Sequence, residues 1–239
     1  VRHLRVCHRQ KGGRVMKEYF IKTFDKKEYA DAFCEKGELL FRHLNYFRKL
    51  EGEDVRCDES EGSHEAKFAA NIPSHVTKIE FRSPAGGKRY VLDYARFKKD
   101  HNIDDTRGDV EITMQYIVDY LIYSMTYVAE DTENKPTIFR EIQKFGRYSV
   151  AVECGEFLSK LRQAIPDVSC GLVKYSVSPQ KNNILEKDAK YSGENEFRVV
   201  IQANLMEQKK IMVGKLHGTM IDNETLERCS DLLFKETKQ

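Results

Sequence analysis

One long apolar stretch limits what this chain can fold into. Apolar residues are dense from Val110 to Val128 and rich in Tyr, Ile and Val, and the longest apolar part, Tyr116 to Val128, is cut by Asp119. It is too short and too polar to cross a membrane as a helix, which needs about 20 apolar residues. Helix and strand patterns compete along it, and its last part, LIYSMTYV, is typical of a strand. The stretch therefore predicts a buried strand in a protein without membrane spans.

The composition fits one folded domain. The chain has 239 residues, 40% hydrophobic and 33% charged, with 40 Lys and Arg against 38 Asp and Glu. Such a chain can bury a core, and its composition excludes a disordered or membrane protein. The N-terminus lacks the apolar segment of a secretory signal, so we expect a cytoplasmic protein with no membrane partner. We also expect reduced thiols, because the cysteines form no CxxC pair and no metal-ligand cluster. They are Cys7, Cys34, Cys57, Cys154, Cys170 and Cys229.

The first fifteen residues differ from the rest of the chain. They carry a charge of +5 and no acidic residue, so the other residues carry −3 in a chain of net charge +2. One interpretation is a basic arm that contacts nucleic acid or anionic lipid. The other is that translation starts at Met16, just after a Lys-Gly-Gly that a ribosome-binding sequence can encode. We expect residues 1–15 to be an untranslated or disordered basic leader, and residues 16–239 to be one domain. Nucleic acid is then a partner only through residues 1–15 or as the acceptor of a reaction.

Strand patterns alternate with amphipathic helix patterns after Met16. Residues 16–24 alternate as a strand, and Asp25 with Glu28 has capping-box spacing for a helix that Gly37 ends in a left-handed conformation. Further strands are expected at 37–47, 78–83, 88–94, 147–153, 170–177, 194–203 and 209–216, and further helices at 137–145, 155–165 and 224–236. The facing patterns at 78–83 and 88–94 predict a hairpin. The sequence therefore predicts an α+β fold with mixed or antiparallel sheets.

The common enzyme motifs are absent from this sequence. It contains no GxxxxGK[ST], GxGxxG, HExxH or GxSxG, so three polar groupings that interrupt the apolar patterns are the candidates. The first is Arg42 with His43 at the end of an apolar strand pattern. An arginine there either holds a phosphate or carboxylate through two nitrogens or extends its charged end into solvent.

The second grouping is an acidic segment expected to form a loop. Asp58, Glu59 and Glu61 lie within four residues, between Arg56 and Gly62. The three carboxylates can bind a metal, orient the arginine or keep the loop solvated.

The third grouping lies at the start of a late strand pattern. Glu194 and Glu196 are two residues apart, so an extended strand would place both carboxylates on one face, and Arg198 would continue that face. Like charges so close raise each other's pKa or require a cationic partner. The grouping therefore predicts either an active-site pair or the exposed face of an edge strand.

These groupings together resemble a large family of uncharacterised bacterial cytosolic proteins. That family has an F-N-D-P-F-E signature after an early strand, a serine-containing strand in mid-chain and a late Y-x-x-E-x-E-x-R. Residues 58–61, DESE, stand where D-P-F-E would, residues 123–126, YSMT, are the middle strand, and residues 191–198, YSGENEFR, match the late motif. The resemblance spans Tyr19 to Ile201. It implies a divergent branch, because Cys57, Glu59 and Ser60 replace the Asn, Pro and Phe of the signature.

A more distant resemblance is to ADP-ribosyltransferases of the arginine–serine–glutamate type. These carry an Arg on an early strand, Ser-x-Ser or Ser-Thr-Ser on a middle strand and Glu-x-Glu before a late strand. Arg42, then Ser124 with Thr126, then Glu194 with Glu196 follow this order. The resemblance implies a split β core with peripheral helices, and NAD as the substrate with no metal required.

This resemblance also implies a role for each residue. Breaking the nicotinamide–ribose bond of NAD builds positive charge on the sugar, which a nearby carboxylate stabilises. Glu196 would supply that carboxylate, and Glu194 would position or activate the acceptor. Arg42 would hold the NAD phosphates or ribose, with Ser124 and Thr126 also in the NAD site and Ser124 bracing the glutamate. Possible supporting residues are Arg56, Asp58, Glu61, Tyr191 and Arg198.

Three functions remain open at this point. The first is an ADP-ribosyltransferase or NAD glycohydrolase acting on NAD and an unknown macromolecular acceptor, as a toxin or phage-defence effector. The second is a metal-dependent nuclease in which carboxylates bind Mg²⁺ beside Arg198. Those carboxylates would be Asp58, Glu61, Glu194 and Glu196. The third is a non-enzymatic binding or regulatory module, in which the charged residues form a structural ion-pair network.

Overall fold

Short helices and mostly antiparallel strands make up the described part of the chain, which confirms the predicted α+β class. The structure is a computed structural model. It describes residues 10–11, 14–44, 46, 63–70, 77–82, 89–100, 110–117, 120–177, 183–203, 206–223 and 233–234. Within these ranges, no helix has both the length and the apolar content needed to cross a membrane.

The strands and helices have the following bounds. The strands are β1 Gln10–Lys11, β2 Arg14–Val15, β3 Glu18–Phe24, β4 Glu38–His43, β5 Ser63–Ala70, β6 Lys78–Arg82, β7 Arg89–Asp93, β8 Val110–Ile117, β9 Tyr120–Ala129, β10 Tyr148–Glu153, β11 Ser169–Leu172, β12 Lys174–Ser176, β13 Glu186–Asp188, β14 Glu196–Gln202, β15 Gln208–Met212 and β16 Thr219–Asp222. The α-helices are α1 Lys27–Lys36, α2 Tyr94–Asp100, α3 Lys135–Gln143 and α4 Cys154–Ala164, and a 3-10 helix covers Ala189–Glu194.

An eight-stranded antiparallel sheet organises the fold. Six of its strands lie in the order β11-β14-β9-β3-β10-β16, while β4 pairs with β9 and β15 pairs with β4. Strand β9 contacts β14 on one edge and both β3 and β4 on the other. Its central position confirms the buried strand predicted from LIYSMTYV, since most of its residues are buried. The first part of the long apolar stretch, Val110–Ile117, is also a strand, β8, which pairs with β5.

Smaller ladders account for the other strands. β6 and β7 form the predicted hairpin, with Lys78 opposite Asp93. Residues 10–11 and 14–15 of the basic leader form a two-stranded ladder. β12 and β13 pair in parallel, outside the eight-stranded sheet.

The central sheet is apolar on both faces. The larger core contains Phe20, Phe41, Met125 and Phe197, and helices α1 and α4 contribute Phe33 and Phe157. The opposite face carries two smaller clusters. One contains Ile21, Val128 and side chains of α3, and the other contains Leu44, Ile122 and Val200. This division matters because Arg42, Glu196 and Arg198 lie on the second face, with those two clusters.

The two ends of helix α1 differ in how well the sequence predicted them. The predicted capping box at Asp25 is wrong, because the residue before the helix is Lys26 and no side chain caps the first turn. Gly37 adopts the predicted left-handed conformation, with φ of 61°. The segment 213–216 then satisfies carbonyl groups at the end of the helix: the backbone N–H groups of Val213, Gly214 and Leu216 donate to Gly37, Lys36 and Cys34.

Among the predicted strands that differ from the structure, two lie beside Glu196. The strand expected at 170–177 is divided at Val173 into β11 and β12, because Val173 N donates to Glu196 O while β12 pairs with β13. The strand expected from residue 194 begins at Glu196. Of the predicted terminal helix 224–236, residues 233 and 234 are described and helical, with Leu233 in the cluster around Ile21.

Candidate functional site

A row of polar side chains crosses the second face of the central sheet. The odd-numbered residues of β9 from 121 to 127 belong to the larger core, so Ser124 and Thr126 lie on the opposite face. The antiparallel register places Arg198 opposite Ser124 and Glu196 opposite Thr126. The prediction that Glu196 and Arg198 share one face of their strand is therefore confirmed.

The Glu196 carboxylate is the centre of this row. Arg198 binds both of its oxygens, with Nε 2.9 Å from Oε1 and Nη2 3.0 Å from Oε2. Lys187 Nζ lies 3.1 Å from Oε2, and Ser124 Oγ donates to Oε1. Only 6% of Glu196 and 1% of Arg198 are exposed. The carboxylate is thus buried and accepts from two cations and a hydroxyl.

The surroundings keep Glu196 ionised. Burial alone would raise the pKa of its carboxyl group, but the charges of Arg198 and Lys187 and the hydrogen bonds from Arg198 and Ser124 hold the pKa well below its usual range. Tyr175 Oη accepts from Glu196 N at 2.8 Å. Burial and the nearby Glu196 carboxylate raise the pKa of this phenol. At neutral pH the site therefore contains an anionic carboxylate beside a neutral phenol.

Glu194 reaches the same site by a different route from the predicted one. It is the last residue of the 3-10 helix, and Asn195 adopts a left-handed conformation with φ of 41°, so an extended strand does not place Glu194 and Glu196 on one face. Asn195 is held there by β9, since its Nδ2 donates to Tyr127 O at 2.5 Å and its carbonyl accepts from Tyr127 N. The two carboxylates still converge on one cation, because Lys187 Nζ lies 2.8 Å from Glu194 Oε2.

Residues 183–194, which we call the cover, close the site on the side away from the sheet. Ile184 and Leu185 pack on the cluster that contains Ile122. Arg198 Nη1 donates to Ile184 O at 2.5 Å, so the buried arginine joins the sheet to the cover. No local sequence pattern indicated Lys187 or Tyr175 as site residues, because contacts of the cover and of β12 place them.

Arg42 lies on the same face but separate from the carboxylate. Strand β4 places it opposite Ile122, so Ser124 is its diagonal neighbour on β9. Its guanidinium stacks on Tyr46, with Cζ 4.2 Å from the ring centroid. Within the described ranges, no acceptor receives a hydrogen bond from Arg42. Arg42 therefore lies at the edge of the row of polar side chains, and none of the described residues forms an ion pair with it.

A lysine fills the gap where β3 and β4 separate along β9. β3 pairs with β9 as far as Ile21 opposite Thr126, and β4 resumes the pairing at Ile122. In the interval, Lys22 Nζ donates to Ser124 O at 2.7 Å and lies 4.7 Å from the Tyr123 ring centroid. A signal for Lys22 existed in the sequence, since it interrupts the apolar residues of a clear strand pattern.

The other predicted residues are distributed as follows. Thr126 is 9% exposed and faces Glu196 across the ladder. Tyr191 lies in the 3-10 helix, with the ammonium groups of Lys187 and Lys190 at 5.1 and 4.8 Å from its ring centroid. The predicted supporting residues of the acidic segment lie outside the described residues; they are Arg56, Asp58 and Glu61.

The assembled site combines hydroxyl groups, the carboxylates of Glu194 and Glu196 and several cations. Among the residues described, no group of three or more His, Cys, Asp and Glu side chains could hold a metal ion. The arrangement can bind an anionic group at Arg42, on the same sheet face as a carboxylate that is ionised at neutral pH. No family model matches the sequence, and no curated protein or solved structure matches it either.

Proposed function

We propose that this protein cleaves the nicotinamide–ribose bond of NAD, as an ADP-ribosyltransferase or NAD glycohydrolase. The observation that carries the proposal is the meeting of Arg42, Ser124 and Glu196 on one sheet face, from three different strands. The hydroxyl of Ser124 donates to the Glu196 carboxylate, which is the bracing role that the resemblance implied. The separation of β3 and β4 at Ser124 is also consistent with a divided sheet.

The proposed chemistry needs an anion at neutral pH. When the bond between ribose C1′ and the nicotinamide nitrogen breaks, the electron pair leaves with nicotinamide and positive charge develops on the ribosyl group. The lowered pKa of Glu196 keeps its carboxylate ionised and able to stabilise that charge. Water or a macromolecular nucleophile then forms the new bond to C1′ and loses its proton.

Arg42 suits the anionic half of the substrate. A guanidinium is planar, always charged and able to bind two phosphate oxygens at once. Its stacking on Tyr46 orients the plane without using the N–H groups. We therefore assign the NAD phosphates to Arg42, and the acceptor to the side of Glu194.

A structural role for the same residues is the second candidate. It is favoured by the two-point contact of Arg198 with Glu196, which resembles a buried ion pair that fixes a strand end. In this case Glu196 and Arg42 contribute to stability or to binding a partner, and no NAD is consumed.

Nicotinamide release by the purified protein tests the proposal. The wild type should consume NAD in the presence of EDTA, with or without a cell lysate as the source of acceptor. Glu196→Gln should lower the rate at least about hundredfold, because the charge that stabilises the transition state is lost. Ser124→Ala and Arg42→Met should lower it less, Arg42→Met mainly through KM.

Matched variants on the exposed face of α4 provide the controls. Ser159→Ala and Arg162→Met remove the same groups at exposed positions and should leave the rate unchanged. No turnover by the wild type under any condition would reject NAD chemistry. If Glu196→Gln then lowers the melting temperature, the structural role is favoured, whereas an EDTA-sensitive cleavage of nucleic acid would favour a metal-dependent nuclease.

A further inference from the structure

The Glu196 carboxylate is covered as well as buried. Its two oxygens accept from Arg198, Ser124 and Lys187. Arg198 and Ser124 belong to the sheet, but Lys187 belongs to the cover, the segment 183–194 defined above. A ligand that approaches Glu196 from the side away from the sheet therefore meets Lys187 first.

The cover lies outside the eight-stranded sheet. Its strand β13 pairs with the three-residue strand β12. Its contacts with the sheet include the Arg198 bond to Ile184 O, the packing of Ile184 and Leu185, and the Lys187 ion pair. Short elements outside the main sheet open locally at a smaller free-energy cost than the core.

Lys187 forms the ion pair that joins the cover to the sheet. Its ammonium lies between Glu194 Oε2 at 2.8 Å and Glu196 Oε2 at 3.1 Å. The side chains of Lys187, Glu194 and Glu196 are 11%, 13% and 7% exposed, so solvent and salt screen these interactions weakly.

We propose that Lys187 is a latch that holds the cover closed over Glu196, and that Glu196 becomes accessible only when this ion pair is released. Opening exchanges the Lys187 contact for a contact with the ligand and leaves the Arg198 and Ser124 contacts in place. Lys187 is thus a positioning residue that acts through the cover. The part of this proposal that concerns turnover rests on the proposed function, whereas the opening of the cover does not.

Hydrogen exchange of the full chain, read by mass spectrometry, tests the latch. In Lys187→Met, amides of residues 183–194 should exchange at least tenfold faster than in the wild type, while those of β14 and β9 stay protected. Lys187→Arg keeps the charge and should remain closed. Lys210→Met, which removes an ion pair with Glu38 at the sheet edge, is the matched control and should not affect the cover.

Carboxylate labelling gives a second reading that a general loss of stability would not reproduce. Trypsin releases residues 191–198, YSGENEFR, which contain Glu194 and Glu196. Carbodiimide and glycinamide should modify Glu196 in Lys187→Met several times faster than in the wild type. Glu194→Gln, which weakens the latch without altering Lys187, should give an intermediate rate and serves if Lys187→Met does not fold.

The outcomes separate the latch from the enzyme. Unchanged exchange and labelling in Lys187→Met would overturn the latch, as would an equal increase in β14 and β9. Faster exchange of residues 183–194 in Lys187→Met, together with raised NAD turnover by that variant, supports both proposals. Faster local exchange without turnover in any protein keeps the latch and rejects the NAD chemistry.

Discussion

At the scale of single residues, the buried ion pair of Arg198 and Glu196 is costly to separate. A buried charge is tolerated only when its partner and hydrogen bonds replace the water it has lost. Arg198 is 1% exposed, and its guanidinium is divided between the Glu196 carboxylate and Ile184 O. Removal of the carboxylate therefore leaves the buried Arg198 and Lys187 without the anion that both of them contact.

Glu196→Ala should accordingly lower the free energy of unfolding by about 3–5 kcal/mol. Glu196→Gln should cost less, since its amide oxygen can still accept from Arg198 or Ser124. Urea denaturation followed by circular dichroism measures both. The control is Asp31→Ala, which breaks the exposed pair with Lys27 and should change the stability by less than about 1 kcal/mol. Equal losses in Glu196→Ala and Asp31→Ala would contradict the argument.

Two tyrosines on β9 offer a matched test of buried hydroxyl groups. Tyr123 and Tyr127 are 4% and 7% exposed and belong to the same core. Tyr127 Oη donates to the buried Glu18 Oε1 at 2.6 Å, whereas the buried Tyr123 Oη has no hydrogen-bond partner among the described residues. An unsatisfied buried hydroxyl destabilises the folded state, so its removal relieves a cost.

Tyr123→Phe should therefore leave the free energy of unfolding unchanged or raise it by about 1 kcal/mol. Tyr127→Phe should lower it by about 1.5–3 kcal/mol, because the Glu18 carboxylate loses a donor. Thermal and urea unfolding of the two variants side by side give the comparison. A larger loss for Tyr123→Phe than for Tyr127→Phe would show that the Tyr123 hydroxyl has a partner in solution.

At the scale of elements, the sequence predicted the strands and helices whose formation depends on the pattern of their own residues. Alternating apolar residues predicted β3 and the β6–β7 hairpin, and a dense run of Tyr, Ile and Val predicted the buried strand β9. The 3-10 helix and β13 had no such pattern, since ion pairs and the packing of Ile184 hold them. The capping box at Asp25 failed because capping depends on the conformation of the chain before the helix, which the sequence spacing does not specify.

The end of α1 gives a prediction at this scale. A Cβ on Gly37 would suffer from the left-handed φ of 61° and would lie 2.6 Å from Val213 Cγ2 and against Gly214 O. Gly37→Ala should therefore cost about 2 kcal/mol or more, since the left-handed conformation alone costs roughly 1–2 kcal/mol. Gly155→Ala is the control, because Gly155 lies in the first turn of α4 with open space around it.

Gly155→Ala should stabilise the protein by about 0.5–1 kcal/mol through the higher helix propensity of alanine. Thermal unfolding of both variants measures the contrast. Similar melting temperatures for the two variants would mean that segment 213–216 can move away from Gly37 at little cost.

At the scale of the whole molecule, the site depends on pairings between distant parts of the chain. Ser124 and Glu196 are 72 residues apart in sequence, and Lys22 and Ser124 are 102 apart. The order of β14, β9 and β3 in the sheet makes these contacts, and no local pattern in the sequence determines that order. The sequence could therefore identify Glu196 and Arg198 as polar residues in a strand pattern, and Ser124 through the resemblance, but not Lys187, which reaches them from outside the sheet.

The buried titratable groups also predict how the stability of the whole protein depends on pH. Glu196 has a pKa lowered on folding, so its contribution is complete above the unfolded pKa of about 4.3 and is lost as the pH falls toward the folded value. Burial raises the pKa of Tyr123, so its neutral form contributes fully below about pH 10 and this contribution is lost as the pH rises further. The protein should therefore unfold more easily at both extremes.

Urea unfolding from pH 3 to pH 11 separates the two groups. The stability difference between the wild type and Glu196→Gln should be constant from about pH 6 to 9 and shrink below about pH 4.3, because protonation of Glu196 removes the charge that the variant already lacks. The difference between the wild type and Tyr123→Phe should change only above about pH 10, in favour of the variant. The loss of stability in acid should be the same for the wild type and Tyr123→Phe. The loss of stability in alkali should be the same for the wild type and Glu196→Gln. If Glu196→Gln instead follows the wild type in parallel down to pH 3, the Glu196 carboxylate is not held ionised by Arg198 and Lys187, and the basis for its proposed chemistry is lost.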